Sequence, residues 1–174
     1  MVRSTLISAA VALAIITGSA DASSVENFHA VFSGFSETPA VLSDGQETLE
    51  LKLDRTGKTL TYKLSYSNLS APVTQSHIHF GKVHVAGGVM VFFCTNLGNG
   101  PAGTPACPAN GGTVTGTLNA TSVVGPTAQN VTAGDFDAIE DALETNTAYA
   151  NIHTTAFPAG EIRGEVRRVE RDDD

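Results

Sequence analysis

The chain has 174 residues, a formal net charge of −8 and two cysteines, and 41% of its residues are apolar. An acidic balance of this size excludes the basic footprint that nucleic acid or an anionic membrane surface requires. The length suits one domain able to bury a core without metals or several disulfides.

In chain order, Arg3 precedes the apolar run LISAAVALAIITG, and small residues follow, ending Ala20-Asp21-Ala22. This is the order of a secretory signal peptide, and it predicts that residues 1–22 are removed and that the mature protein, residues 23–174, is secreted, extracellular or periplasmic. The run falls short of the ~20 apolar residues of a spanning helix, so no membrane span is expected after its removal. Asp172, Asp173 and Asp174 read as a solvated, frayed end.

Alternation of period two dominates the rest. In TLTYKLSY, Leu60, Tyr62, Leu64 and Tyr66 point one way while Thr61, Lys63 and Ser65 point the other. Similar strands are expected over 27–34, 48–54, 73–80, 89–95, 113–118, 148–154 and 160–169. The turn signals between them, such as Asp44-Gly45, Gly87-Gly88 and Asn110-Gly111, suggest a mostly β, antiparallel sandwich or barrel-like fold of Ig-like or Greek-key type. One segment breaks the pattern. Phe136, Ile139 and Leu143 stand at helical spacing, which predicts a short helix near 133–144, crossing one end of the sandwich with Asp135 and Asp137 in its first turn and its acids in solvent.

Cys94 and Cys107 bracket the Gly- and Pro-rich loop TNLGNGPAGTPA, and in an exported domain such a pair most simply forms a disulfide. A Cys–His metal site is the weaker alternative, because neither cysteine has a close C-x-x-C partner. Sequons occur at Asn68, Asn119 and Asn130.

The stretch Gln75-Ser76-His77-Ile78-His79-Phe80-Gly81 and the later run from Tyr149 through Asn151, His153, Thr154, Pro158, Gly160, Glu161 and Arg163 to Gly164, with the early Glu37-Thr38-Pro39-Ala40, resemble the CHRD (chordin-type) domain family over residues 27–168. The resemblance implies an extracellular β domain, found as repeats in chordin and as single domains in microbial exported proteins. It implies little about chemistry.

His77 and His79 lie two apart on a strand and share one face, with Ile78 on the other. Two imidazoles on one face can chelate copper or zinc, and His153 from a distant strand is the candidate third ligand, with His84 and His29 in reserve. An H-x-H strand with a later histidine also resembles a fragment of the copper site of Cu,Zn superoxide dismutase, although the bridging histidine and zinc carboxylate of that enzyme have no counterpart here. The structural alternative is a polar cross-strand network of His77, His79, Asn151 and His153. Glu161, Arg163 and Glu165 share a face and read as a surface charge ladder, or else Arg163 turns inward to hold loop carbonyls beside His153. Gly81 and Gly160 are expected at strand ends or at positive φ, and Gly164 where a bulky neighbour approaches.

No G-x-S-x-G, H-E-x-x-H or phosphate-cradling loop occurs. The leading expectation is therefore a non-enzymatic secreted module that binds an extracellular protein or cell-surface partner. The alternative is a copper or zinc protein using His77, His79 and His153, with redox chemistry of the superoxide-dismutase type.

Overall fold

The computed structural model describes residues 25–170, so the expected signal segment and the terminal aspartates lie outside the described residues. Strands β1 (Val25–Val31), β2 (Gln46–Asp54), β3 (Thr59–Ser67) and β6 (Gly112–Leu118) form sheet one with the short β9 (Arg167–Arg168), in the order β6-β3-β2-β1-β9. Strands β4 (Val73–Phe80), β5 (Gly88–Thr95), β7 (Ala148–Thr154) and β8 (Ile162–Glu165) form sheet two, in the order β5-β4-β7-β8. Every pairing is antiparallel. The sandwich or barrel-like expectation resolves to two packed sheets that do not close into a barrel.

The core follows from the alternation. Leu49, Leu51 and Leu53 of β2 and Leu60, Tyr62, Leu64 and Tyr66 of β3 point inward, and from sheet two Ile78, Ala150, Ile152 and Ile162 meet them. Fully burying an aliphatic side chain of this kind contributes about 1.5–3 kcal/mol, so this layer carries most of the drive to fold. The β2–β3 hairpin turns at Asp54, whose side chain accepts from the Gly57 amide at 2.9 Å.

The disulfide between Cys94 and Cys107 is formed, with Cα atoms 5.0 Å apart, which sets aside the Cys–His alternative. Asn96 supports the loop it closes: its amide donates to the carbonyls of Val73 and Cys107 at 2.9 and 3.0 Å and accepts from the Cys107 N–H at 3.0 Å.

Helix α1 (Phe136–Glu144) carries the chain from sheet one to sheet two and buries Phe136, Ile139, Ala142 and Leu143. Two expectations about it change. Asp135 is the N-cap, accepting from the Ala138 N–H at 3.2 Å, and lies outside the first turn. Glu140 does not face solvent: it is buried and pairs with Lys58 at 2.9 Å, so the helix is tied to the β2–β3 turn by charge as well as by packing.

The strand expected over 160–169 also divides. Its first half pairs with β7 in sheet two and its second half with β1 in sheet one. Val166 is fully buried at the break, where its N–H donates to the Ala148 carbonyl, and the chain steps from one layer to the other.

Candidate metal centre

The central strands of sheet two, β4 and β7, place the histidines. On β4, Ile78 faces the core while His77 and His79 face outward. Across the ladder Gln75 pairs with His153, His77 with Asn151, and His79 with Tyr149. Beyond Asn151 lies Arg163 of β8, and beyond His77 on the other side lies Phe92 of β5. The β4–β5 pairing is shifted twice along the His-x-His stretch, just before it between Ser76 and His77 and within it between Ile78 and His79. Such irregularities re-aim side chains next to functional sites.

This outward face is not wet. His77 is 2% exposed, and His79, Asn151, His153 and Arg163 are buried with it. Residues 81–87 cover one side, held by Arg163, whose guanidinium donates to the carbonyls of Lys82 and Val85 at 3.0 and 3.1 Å and pairs with Glu165 at 2.8 Å. The guanidinium carbon lies 3.3 Å from the centre of the Tyr149 ring, and that ring stacks in parallel on His79 at 4.8 Å between centres. The surface charge ladder is thereby corrected. Arg163 is an interior residue that holds loop carbonyls, and it braces the His79 side of the cluster, not His153.

His77, His79 and His153 each offer a nitrogen, and the three lie within 4.8 Å of one another. The ring contacts agree: centres are 5.0 Å apart for His77 and His153 and 5.3 Å for His77 and His79. Nδ1 of His79 lies 2.9 Å from the Gly87 carbonyl, and Nδ1 of His153 lies 2.9 Å from the Pro158 carbonyl. A carbonyl only accepts, so each Nδ1 carries the proton and each Nε2 is left with its lone pair. Nε2 of His153 and both nitrogens of His77 are buried with no hydrogen-bond partner among the described residues. Burial disfavours the imidazolium at each ring. It pushes His77 down to about 2, with the neighbouring His153 and His79 adding to the effect. It pushes His79 down to about 4 against the opposing pull of the Gly87 carbonyl, and it lowers His153 against that of Pro158.

The reserve histidines stand apart. His84 is exposed in the 81–87 loop and His29 lies on the outer face of sheet one, and neither belongs to the cluster. Of the family-motif residues, Asn151 sits inside the cluster, with its Oδ1 3.0 Å from Nε2 of His79 and its amide donating to Oε1 of Glu37 at 3.2 Å. Gly160, at φ 130°, leaves the space that this pair fills, since a Cβ there would lie 2.3 Å from Oε1 of Glu37. Gly164 lets β1 come close: a Cβ would meet the Val31 carbonyl at 2.7 Å. Gly81 begins the covering loop, its N–H bonded to the Thr147 carbonyl.

Glu161 and Thr154 form a separate clasp. The buried Glu161 carboxylate accepts from the hydroxyls of Ser43, Ser70 and Thr154 at 2.7, 2.9 and 2.7 Å and from the Ser70 N–H at 2.8 Å. Burial pushes this carboxyl up, but the four bonds outweigh it and hold it below the usual carboxylate value.

Reading the sequence residue by residue singled out neither Glu37, Tyr149 nor Phe92 as a site residue. Glu37 and Tyr149 stood within the motif runs, but nothing local marks a glutamate in a loop as the partner of an asparagine more than a hundred residues away.

The fold and its site define an antiparallel β-sandwich that buries a three-histidine cluster against the outer face of one sheet. The chain matches the family model of the CHRD domain over residues 28–166, most of its length, and belongs to that family. Neither the curated proteins nor the solved structures contain a match to it.

Proposed function

We propose that this CHRD domain is a metal-binding protein, with His77, His79 and His153 holding one copper or zinc ion. The observation that carries the reading is the supply of lone pairs. A buried imidazole nitrogen without a hydrogen bond costs on the order of 1–3 kcal/mol, and here His77 leaves two such nitrogens and His153 one, beside a His79 whose Nδ1 is already fixed. Histidine ligands are oriented by the hydrogen bond at their other nitrogen, which the carbonyls of Gly87 and Pro158 supply. Ligand atoms around a tetrahedral metal lie about 3.4 Å apart, so binding draws the rings inward by about an ångström.

Copper and zinc both accept this donor set. Three protein ligands leave a coordination position open, which would suit redox or hydrolytic chemistry, but only binding is proposed. The protein is further proposed to work outside the reducing cytoplasm, on the support of its disulfide and its N-terminal sequence pattern.

The test is stoichiometry. Untagged protein, stripped with chelator and titrated with Cu(II) or Zn(II), is expected to take up one equivalent, and the variants His77→Ala and His153→Ala to take up none. Equal uptake by wild type and both variants overturns the reading.

The partner-binding module remains a second reading, and one feature favours it. An apolar groove of about 530 Å³ runs between residues 38–42 and 156–160, lined by Pro39, Val41, Leu42 and Phe157, and Leu42 is 87% exposed. Panning a displayed peptide library against wild type and Leu42→Asp tests it: apolar peptides recovered only by wild type support the module, and recovery by both or by neither discards it.

A further inference from the structure

His79 faces an excess of acceptors. A neutral imidazole has one N–H, yet Nδ1 lies 2.9 Å from the Gly87 carbonyl and Nε2 lies 3.0 Å from Oδ1 of Asn151. With the proton on Nδ1, the lone pairs of Nε2 and Oδ1 point at each other, an arrangement that only a cation makes favourable. Turning the Asn151 amide over would relieve the contact by offering an N–H to His79. Glu37 opposes that turn: its Oε1 already receives the amide N–H at 3.2 Å, and turning the amide would break that bond and set one acceptor oxygen against another. Glu37 is 7% exposed, its other oxygen accepts from the Thr38 N–H at 3.2 Å, and the whole pair occupies the space left by Gly160. The amide is thus held with its oxygen toward His79, among buried side chains.

We infer that Asn151 supplies an oxygen donor to the same centre through Oδ1, and that Glu37 is the positioning residue that decides which end of the amide faces the metal. The inference rests on the metal-binding reading above and makes the donor set three nitrogens and one oxygen. A separation of 3.0 Å between Nε2 and Oδ1 is close to the edge of a metal's coordination polyhedron, about 3.4 Å, whereas the histidine nitrogens must travel further to meet. Glu37 also brings a negative charge within one residue of a cation otherwise held by neutral ligands. That favours a divalent ion over a monovalent one.

The experiment uses the intact protein, stripped and reloaded, with Zn(II) affinity measured by competition against a chromophoric chelator and the Co(II) visible spectrum recorded as a report on the donor set. Asn151→Ala is expected to weaken Zn(II) binding by about 10–100-fold and to shift the Co(II) bands. Glu37→Gln, which can satisfy either amide orientation, is expected to weaken binding in the same direction and by less. The charge-swapped double variant Glu37→Gln/Asn151→Asp keeps both shapes, turns a carboxylate oxygen to the centre and is expected to bind at least as tightly as wild type. It also guards against misfolding of the alanine variant. If wild type binds Zn(II) and all three variants match it in affinity and in Co(II) spectrum, the Asn151–Glu37 pair is only structural and the inference fails. If the double variant loses as much affinity as Asn151→Ala, the oxygen-donor role fails. Absence of binding by wild type defeats the metal reading itself.

Discussion

On the outer face of sheet one, Val31, Thr48, Ser65 and Thr113 follow one another across four paired strands, and none of them is buried. The matching row on sheet two, Phe92, His77, Asn151 and Arg163, is buried from end to end. The ladders are alike; what differs is the loops laid over the second sheet, at 81–87 and at the turns around Glu37 and Pro158. On the first sheet exposed polar side chains are open to solvent or meet one another, as Ser65 and Thr113 do at 2.9 Å, so replacing one of them leaves no buried group unpaired. Under the loops each donor and acceptor must find a partner within the protein, and one left over is either a defect or a binding site.

The largest expected effect comes from breaking the brace under the loops. Arg163 is 1% exposed and holds Lys82, Val85, Glu165 and Tyr149 at once. Arg163→Ala strands two loop carbonyls and the Glu165 carboxylate, and removal of one partner from a buried ion pair costs roughly 3–5 kcal/mol. A denaturant midpoint falling by less than about 1 kcal/mol in stability would mean that the covering loops need no brace, and the contrast between the faces would lose its cause. Arg163→Lys is expected to recover little, since an ammonium cannot reach the carbonyls and the carboxylate with one planar group.

Next in size is the Glu161 clasp, which joins the loops bearing Ser43 and Ser70 to β7. Glu161→Ala removes four hydrogen bonds to a charged acceptor and is expected to cost about 2–4 kcal/mol. Its pH dependence has a definite sign. The folded value is depressed below the ordinary 4.5, so the contribution is present in full above 4.5 and is lost as pH falls through the folded value. An acid titration of stability comparing wild type with Glu161→Gln should show this loss in wild type alone.

These two residues also mark how far the sequence could be read. Alternation along β2 and β3 was legible because one face is wet: a strand half in water must alternate, so strands, hairpin and core residues followed from the spacing. The same rule placed His77 and His79 together on one face. It misplaced Arg163 and the step at Val166, because a period of two tells which residues share a face but not whether anything lies on top, and helical spacing failed for Glu140 of α1 in the same way. The pairing of β4 with β7, which brings His153 to His77, depends on long-range register and could be offered only as a candidate. Glu37 stood in a motif run, but its role was not legible there, since that role exists only once the fold brings its carboxylate to the Asn151 amide.

Glu47 tests the idea from inside the sandwich. It is 2% exposed on the inward side of β2, and neither carboxylate oxygen has a hydrogen-bond partner among the described residues. Burial pushes its carboxyl well above the ordinary 4.5. Here the sign reverses: folding favours the protonated acid, so its contribution is whole below 4.5 and is lost as pH rises from there toward the folded value. Replacing it with an apolar residue of similar length, Glu47→Met, is expected to stabilise the protein at neutral pH by roughly 1–3 kcal/mol and to flatten this part of the pH profile. An equally large loss of stability would show that the carboxylate has a partner, and that a polar group on the inner face can be as well served as the loop-covered residues of sheet two.

The smallest effect belongs to the open face. Lys63 is 56% exposed on β3, and its ammonium lies 3.8 Å from Glu50, itself 68% exposed. Water screens both charges, and exposed pairs of this kind contribute about 0–1 kcal/mol. Lys63→Ala is therefore expected to move stability by less than about 0.5 kcal/mol and to leave metal uptake unchanged, as is Thr115→Ala in the paired position on β6. Thermal melts of the two variants beside Arg163→Ala measure the contrast directly. If either cost as much as Arg163→Ala, the outer face of sheet one would be carrying a contact of its own, and burial under the loops would no longer explain why chemistry gathers on sheet two.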